Sequence, residues 1–265
     1  MIVILAYYCM LTAGLAAMLV GDLGWLAFAT YYLWMPLGAI GVWRLSGRRI
    51  ADLGIRLYPD GARHMVWGAA AAASVAGLIV AVLVAAGWAD TPGLTWTARR
   101  IMTGLIVQQG IVAVLEELAF RGVMQPALSA AWGERRGLAG TAILFGLFHL
   151  PNIAYQNVPH ELVPLTVASL SVMGVAFGLA CRLTQGRLAL PVGLHFGWNV
   201  IAFGFADAAA PTFTGPQWIA GSARWFPESG LLGLAGLMVL SMIVYRSLAH
   251  HDDAGIAHST EYSQE

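Results

Sequence analysis

Apolar runs close to twenty residues long recur along this chain, separated by short polar breaks. About twenty apolar residues in helical conformation cross the hydrocarbon of a bilayer. The pattern therefore predicts eight helices, at 1–20, 24–43, 66–88, 100–127, 137–151, 163–182, 188–207 and 230–248. Prolines punctuate this map mostly where a missing N–H is tolerable. Pro126 is expected to end the fourth helix and Pro151 the fifth; Pro164 opens the sixth, Pro191 sits in the first turn of the seventh, and Pro36 is expected to kink the second. The fifth run is short for a crossing, so it either continues past Pro151 or stops below the far surface, inside a cavity.

Composition turns a helical pattern into a membrane protein. Of 265 residues, 58% are hydrophobic and 11% charged, against about 25% charged in soluble domains. The expected fold class is an all-α polytopic membrane protein of about eight transmembrane helices, with a polar site inside the helical core. Residues 1–249 read as a single transmembrane domain and the polar residues 250–265 as a disordered cytoplasmic tail, whose His250, His251 and His258 read as solvated. Met1–Val20 lacks a positively charged leading segment and runs quickly into the next apolar stretch, so it reads as a retained helix and not a cleaved signal peptide.

Charge then orients the map. All fourteen basic residues are Arg and are balanced by fourteen acidic ones, so net charge gives no footprint for nucleic acid as a partner. Cytoplasmic loops carry the excess of positive charge. With the N-terminus inside, Arg44, Arg48, Arg49, Arg56, Arg63, Arg135, Arg136, Arg182, Arg187 and Arg246 fall on the cytoplasmic side, and only Arg99, Arg100 and Arg224 outside. Ten against three places both termini in the cytoplasm. The segment from Arg44 to Arg63 suits a connector lying on anionic lipid. The lack of Lys points to a biased genome and hence to a bacterial inner membrane. Cys9 and Cys181 lie in different apolar segments without C-x-x-C spacing and are expected to be buried free thiols. Gly174-x-x-x-Gly178 and Gly193-x-x-x-Gly197 are small-residue pairs of the kind that let helix backbones approach closely.

Three short motifs place ionisable groups inside these apolar runs: Glu116-Glu117-Leu118-Ala119-Phe120-Arg121, Phe145-Gly146-Leu147-Phe148-His149 and His195-Phe196-Gly197-Trp198-Asn199. Such groups are expensive in hydrocarbon, and at membrane depth they mark a functional site. Glu117 and Arg121 are four residues apart in the favourable acid-before-base order, which predicts an internal ion pair. Glu116 is rotated about 100° from Glu117 by the helical period, so one carboxylate is neutralised while its neighbour stays free. Phe145 and His149 share one helix face, as do His195 and Asn199. On the map above, all these groups lie in the middle to cytoplasmic part of the bilayer, which predicts a site reached from the cytoplasm.

A cluster of Glu116, His149, His195 and Asn199 would form a water-activating centre. Glu116 would take a proton from water, the histidines would orient that water or bind an ion, and Asn199 would donate to an oxyanion. No His-Glu-x-x-His helix is present, yet Glu116, His149 and His195 can complete a three-ligand zinc site, in which case Glu116 is a ligand and not the base.

These residues resemble the CAAX protease and bacteriocin-processing family of intramembrane endopeptidases, also called the Abi family. Its signature of Glu-Glu-x-x-x-Arg, Phe-x-x-x-His and His-x-x-x-Asn or Asp is matched in order by Glu116, Glu117 and Arg121, by Phe145 and His149, and by His195 and Asn199. The resemblance covers roughly residues 100–205. It implies a catalytic Glu116, a structural pair in Glu117 and Arg121, and His149, His195 and Asn199 as the remaining polar members of the site. It leaves open whether the chemistry uses zinc or a glutamate-activated water. Relatives cleave the tails of prenylated Cys-a-a-X proteins or serve peptide processing and bacteriocin immunity, so the implied partners are the lipid bilayer and a peptide or membrane-anchored protein.

Two other classes compete with the endopeptidase. A non-proteolytic immunity or partner-binding protein would keep the polar cluster for folding or recognition. A proton-coupled carrier would use Glu and His as a relay, although no hydropathy repeat between the halves supports it.

Overall fold

The computed structural model describes residues 2–20, 24–90, 96–209 and 211–261. Helices α1 (Ile2–Val20), α2 (Gly24–Leu45) and α3 (Gly61–Ala85) lead into α4 (Trp96–Glu117), a π-helical segment (Leu118–Met124) and α5 (Gln125–Trp132). Then come α6 (Glu134–Phe148), α7 (Leu150–Tyr155), α8 (Val163–Leu183), α9 (Ala189–Phe203) with a second π segment (Gly204–Ala209), the short α10 (Gln217–Ala220), and α11 (Leu231–Glu261). Among the described residues, six helical stretches are long and apolar enough to cross a membrane: Gly61–Ala85, Met102–Trp132, Glu134–Tyr155, His160–Leu183, Ala189–Asp207 and Leu231–His250. The chain is an all-α, multi-spanning integral membrane protein. The first two of the eight expected crossings are helical, α1 containing a shorter apolar stretch at Ile4–Ala17, and they adjoin residues outside those described.

Several boundaries differ from the sequence reading for identifiable reasons. Pro126 does not end the fourth helix. It stands in the first turn of α5, immediately after the π segment, where the amide of Gln125 reaches back five residues to the carbonyl of Phe120. The wider π turn accommodates a residue that cannot donate and would crowd an α-helical carbonyl. Pro151 likewise begins α7 and does not close α6, so the fifth run reaches Tyr155 and becomes long enough to cross. The last helix reaches Glu261, beyond the end expected at residue 248. Cys181 is buried as expected, whereas Cys9 is exposed on the outer face of α1.

Glycine carbonyls and close helix crossings set the core. A Cβ at Gly193 or Gly197 would collide with the backbone oxygen of Met65 or Ala69 respectively, so this face of α9 lies flush on α3. His195, midway between them, is thereby turned towards the opposite side. On α8, a Cβ at Gly174 would collide with Ala142 of α6 and one at Gly178 with Leu138 and Gln125, and the carbonyls of the two glycines accept from Arg121 and Gln125, also four apart, at 3.0 and 3.2 Å. Side-chain bonds to a neighbouring helix carry this packing where hydrocarbon offers no hydrophobic drive.

The connecting segments tie together at each end of the bundle. At one end the amide of Leu188 donates to the Gly54 carbonyl at 3.1 Å, the Arg187 guanidinium lies 4.5 Å over the Tyr58 ring, and Arg182 pairs with Glu134 at 3.9 Å. At the other, an isolated bridge joins Ala89 and Phe213, and the amide of Thr214 donates to the Trp88 carbonyl at 2.9 Å. The ten Arg assigned to cytoplasmic loops all belong to the first end by chain position.

Candidate active site

The three motifs converge. Glu117 accepts from Arg121 Nη1 and from His195 Nδ1, both at 3.0 Å and both at its Oε1. Glu117 and Arg121 are completely buried side chains, so the predicted internal ion pair is present and His195 is attached to it. The Arg121 guanidinium also lies 4.5 Å from the Phe145 ring and 5.2 Å from that of Phe177, and Phe177 stacks on His195 at 5.0 Å. Aromatic faces attract a cation strongly where water is excluded. Phe145, an apolar member of the motif, thus supports both the Arg and, edge to ring at 4.9 Å, His149.

Glu116 faces away from this pair, as the helical period predicts. Its Oε2 is buried without a hydrogen-bond partner and stands 3.8 Å from His149 Nε2 and 3.9 Å from His195 Nε2. The other nitrogen of each ring is committed: His149 Nδ1 donates to the Phe145 carbonyl at 2.8 Å and His195 Nδ1 to Glu117. A carbonyl only accepts, which fixes the His149 tautomer. Both Nε2 atoms therefore turn towards the free oxygen of Glu116.

Separations of 3.8–3.9 Å are too long for direct hydrogen bonds and suit a bridging water. Such a water can give protons to two of the three groups and accept from the third when that one holds a proton. A tetrahedral zinc with bonds of about 2.0–2.1 Å would draw its ligand atoms to about 3.3 Å from one another. Among the described residues, no group of three or more His, Cys, Asp or Glu side chains is arranged to hold a metal ion. The set of Glu116, His149 and His195 fits water more closely than the zinc site offered by the sequence.

Glu116, His149, His195 and Asn199 all line one cavity of about 460 Å³. Asn199 donates one amide hydrogen to Gln109 Oε1 at 2.9 Å and keeps a second for the cavity. Gln109 was not singled out in the sequence, although it lies two helical turns before Glu116, a spacing that puts both on one face of α4. The segment before α11 also went unrecognised. Ala223, Trp225, Phe226 and Glu228 contribute to the wall, Trp225 meets the His149 ring at 6.2 Å, and Glu228 accepts from Trp198 Nε1 at 2.5 Å. No local pattern marks these residues, because the chain return over the site is a tertiary event. The buried Glu228 lies outside the spans, and burial pushes its carboxyl up to about 7.

The cavity lies towards one end of the bundle. Its walls come from Leu15 and Leu19 late in α1, Leu105 to Val112 midway along α4 with Glu116 near its end, Asn152 in α7 and Gln156 just after it, Phe203 at the end of α9 with Ala206 and Asp207 in the π segment that follows, and the segment before α11. Apart from Glu116, which stands at the middle of the Met102–Trp132 span, these belong by chain position to the end of the bundle remote from the ten Arg. Motif positions averaged over helix length cannot show this, since openness depends on what packs above and below them.

A family model, type II CAAX prenyl endopeptidase Rce1-like, matches residues 98–201. No curated protein and no solved structure matches the chain. The matched stretch carries every residue of the three motifs and the Gln109 and Gly174 that hold them in place. A CAAX-protease domain of the Rce1-like type is thus detected in the part of the chain that carries the three motifs.

Proposed function

We propose that the protein is an intramembrane endopeptidase that hydrolyses a peptide bond by direct attack of water held between Glu116, His149 and His195. The observation that carries this reading is the unpartnered Glu116 Oε2 facing two imidazole Nε2 atoms at 3.8 and 3.9 Å inside a polar cavity. Glu116 takes the proton as water attacks the scissile carbonyl, and the histidines hold the oxygen in line. The second Asn199 N–H donates to the oxyanion, and its bond to Gln109 fixes the amide beforehand. Glu117 and Arg121 position His195 and do not touch the reacting atoms. Substrates of the class implied by the family match are tails of membrane-anchored proteins or peptides.

The test is cleavage of a library of prenylated and unmodified peptides by the purified protein in lipid nanodiscs, read by mass spectrometry. Wild type should produce cuts that Glu116→Gln does not, with a loss of about 10²–10⁴ in rate. Cuts made equally by Glu116→Gln refute its role as base. A Glu116→Gln protein that keeps full immunity or partner binding in cells while neither form cleaves favours the non-proteolytic reading.

A further inference from the structure

We infer that the catalytic cavity opens to the non-cytoplasmic side of the membrane, so that its substrate is a peptide segment exposed on that face. This rests on the proposed active site for the word catalytic and on nothing else in that proposal. Two observations carry it. The cavity is walled by Leu19, Asn152, Gln156, Asp207 and Trp225, all at the end of the bundle where the Ala89–Phe213 bridge lies. The opposite end holds ten of the fourteen Arg, against three at the cavity end, with Arg121 in the core. Positive residues in short loops stay in the cytoplasm, so the cavity end is the outer one.

The route from the Arg-rich end is closed. A second hollow there, of about 450 Å³, is lined by Gln125, Ser129, Glu134, Cys181 and Arg182, and stops at Arg121. Between it and the cavity stand the wholly buried Glu117–Arg121 pair and the Arg121 bond to the Gly174 carbonyl at 3.0 Å. A peptide strand could pass only by breaking both. Among the described lining residues the acidic side chains are Glu116, Asp207 and Glu228, and no Arg is present.

The experiment reads sidedness without needing activity. In a Cys9→Ala, Cys181→Ala background, single cysteines are placed at the cavity wall (Gln156→Cys, Asp207→Cys) and at the Arg-rich end (Ser46→Cys). Intact expressing cells are treated with a membrane-impermeant maleimide before and after permeabilisation. Both cavity cysteines should label in intact cells, and Ser46→Cys only after permeabilisation. The reverse pattern, or cavity cysteines that label under neither condition, overturns the inference. The unmutated chain gives an independent reading: green fluorescent protein fused after Glu265 should fluoresce and alkaline phosphatase fused there should be inactive, and the opposite result overturns the orientation. Because neither readout depends on proteolysis, a wrong orientation and a wrong active-site assignment are separable.

Discussion

Replacing Glu117 by Gln deletes one charge where two cationic or donating groups converge and no water reaches. Arg121 Nη1 and His195 Nδ1 both contact Glu117 Oε1 at 3.0 Å, and Glu117 and Arg121 have no exposed side-chain surface. Gln keeps the size and one oxygen acceptor, so packing is nearly unchanged and the loss is electrostatic. Removing one partner of a buried pair costs about 3–5 kcal/mol, because the other charge is left uncompensated. The Gly174 carbonyl at 3.0 Å and the Phe145 and Phe177 faces at 4.5 and 5.2 Å still stabilise Arg121, which favours the lower end. About 3 kcal/mol corresponds to roughly a hundredfold or more in the folding equilibrium. Equilibrium unfolding in mixed micelles, followed through the ten Trp residues, measures it. The double change Glu117→Gln with Arg121→Met should recover much of the loss, since removing both charges is often neutral. A single mutant within about 1 kcal/mol of wild type, the scale of exposed pairs, or a double mutant no more stable than the single, would refute the claim that this pair is a structural unit.

The same substitution one residue earlier should behave differently: Glu116→Gln leaves unfolding within about 1 kcal/mol of wild type, because no charge partner is orphaned, and removes cleavage instead. Asn199→Ala and Gln109→Ala should both lower kcat more than they raise KM, Asn199→Ala by about 10²-fold or more as for loss of an oxyanion donor and Gln109→Ala by less; equal effects on KM alone argue against oxyanion donation. Glu228 holds its proton more tightly folded than unfolded, with a carboxyl near 7 against 4.5, so its contribution is fully present below about 4.5 and lost as pH rises through about 7, worth up to about 3 kcal/mol. Melting temperature should therefore fall between these pH values in wild type and fall less in Glu228→Gln; identical pH profiles would show that Glu228 does not titrate there. Gly197→Leu should prevent α9 from seating on α3, since even a Cβ meets the Ala69 carbonyl, and should cost about 1–3 kcal/mol or more; thermal unfolding unchanged from wild type would place that crossing elsewhere.

Much was determined by the sequence alone. Hydropathy fixed a multi-spanning helical protein because the bilayer admits few other solutions for so apolar a chain. The helical period paired Glu117 with Arg121, parted Glu116 from both, and set His195 and Asn199 on one face, since these relations are local to a single helix. The two glycine pairs marked the faces that approach other helices, though not which helices they meet. Tertiary structure alone decided the rest. It attached His195 to Glu117, a contact between residues 78 positions apart, and aimed two Nε2 atoms at one carboxylate oxygen. It recruited Gln109 and Phe177, whose roles exist only across helices, and returned Trp225 and Glu228 over the cavity. It also chose the end of the bundle at which the cavity lies. Periodicity reports which way a side chain points from its own helix axis, but the shape of an empty space is set by every helix around it.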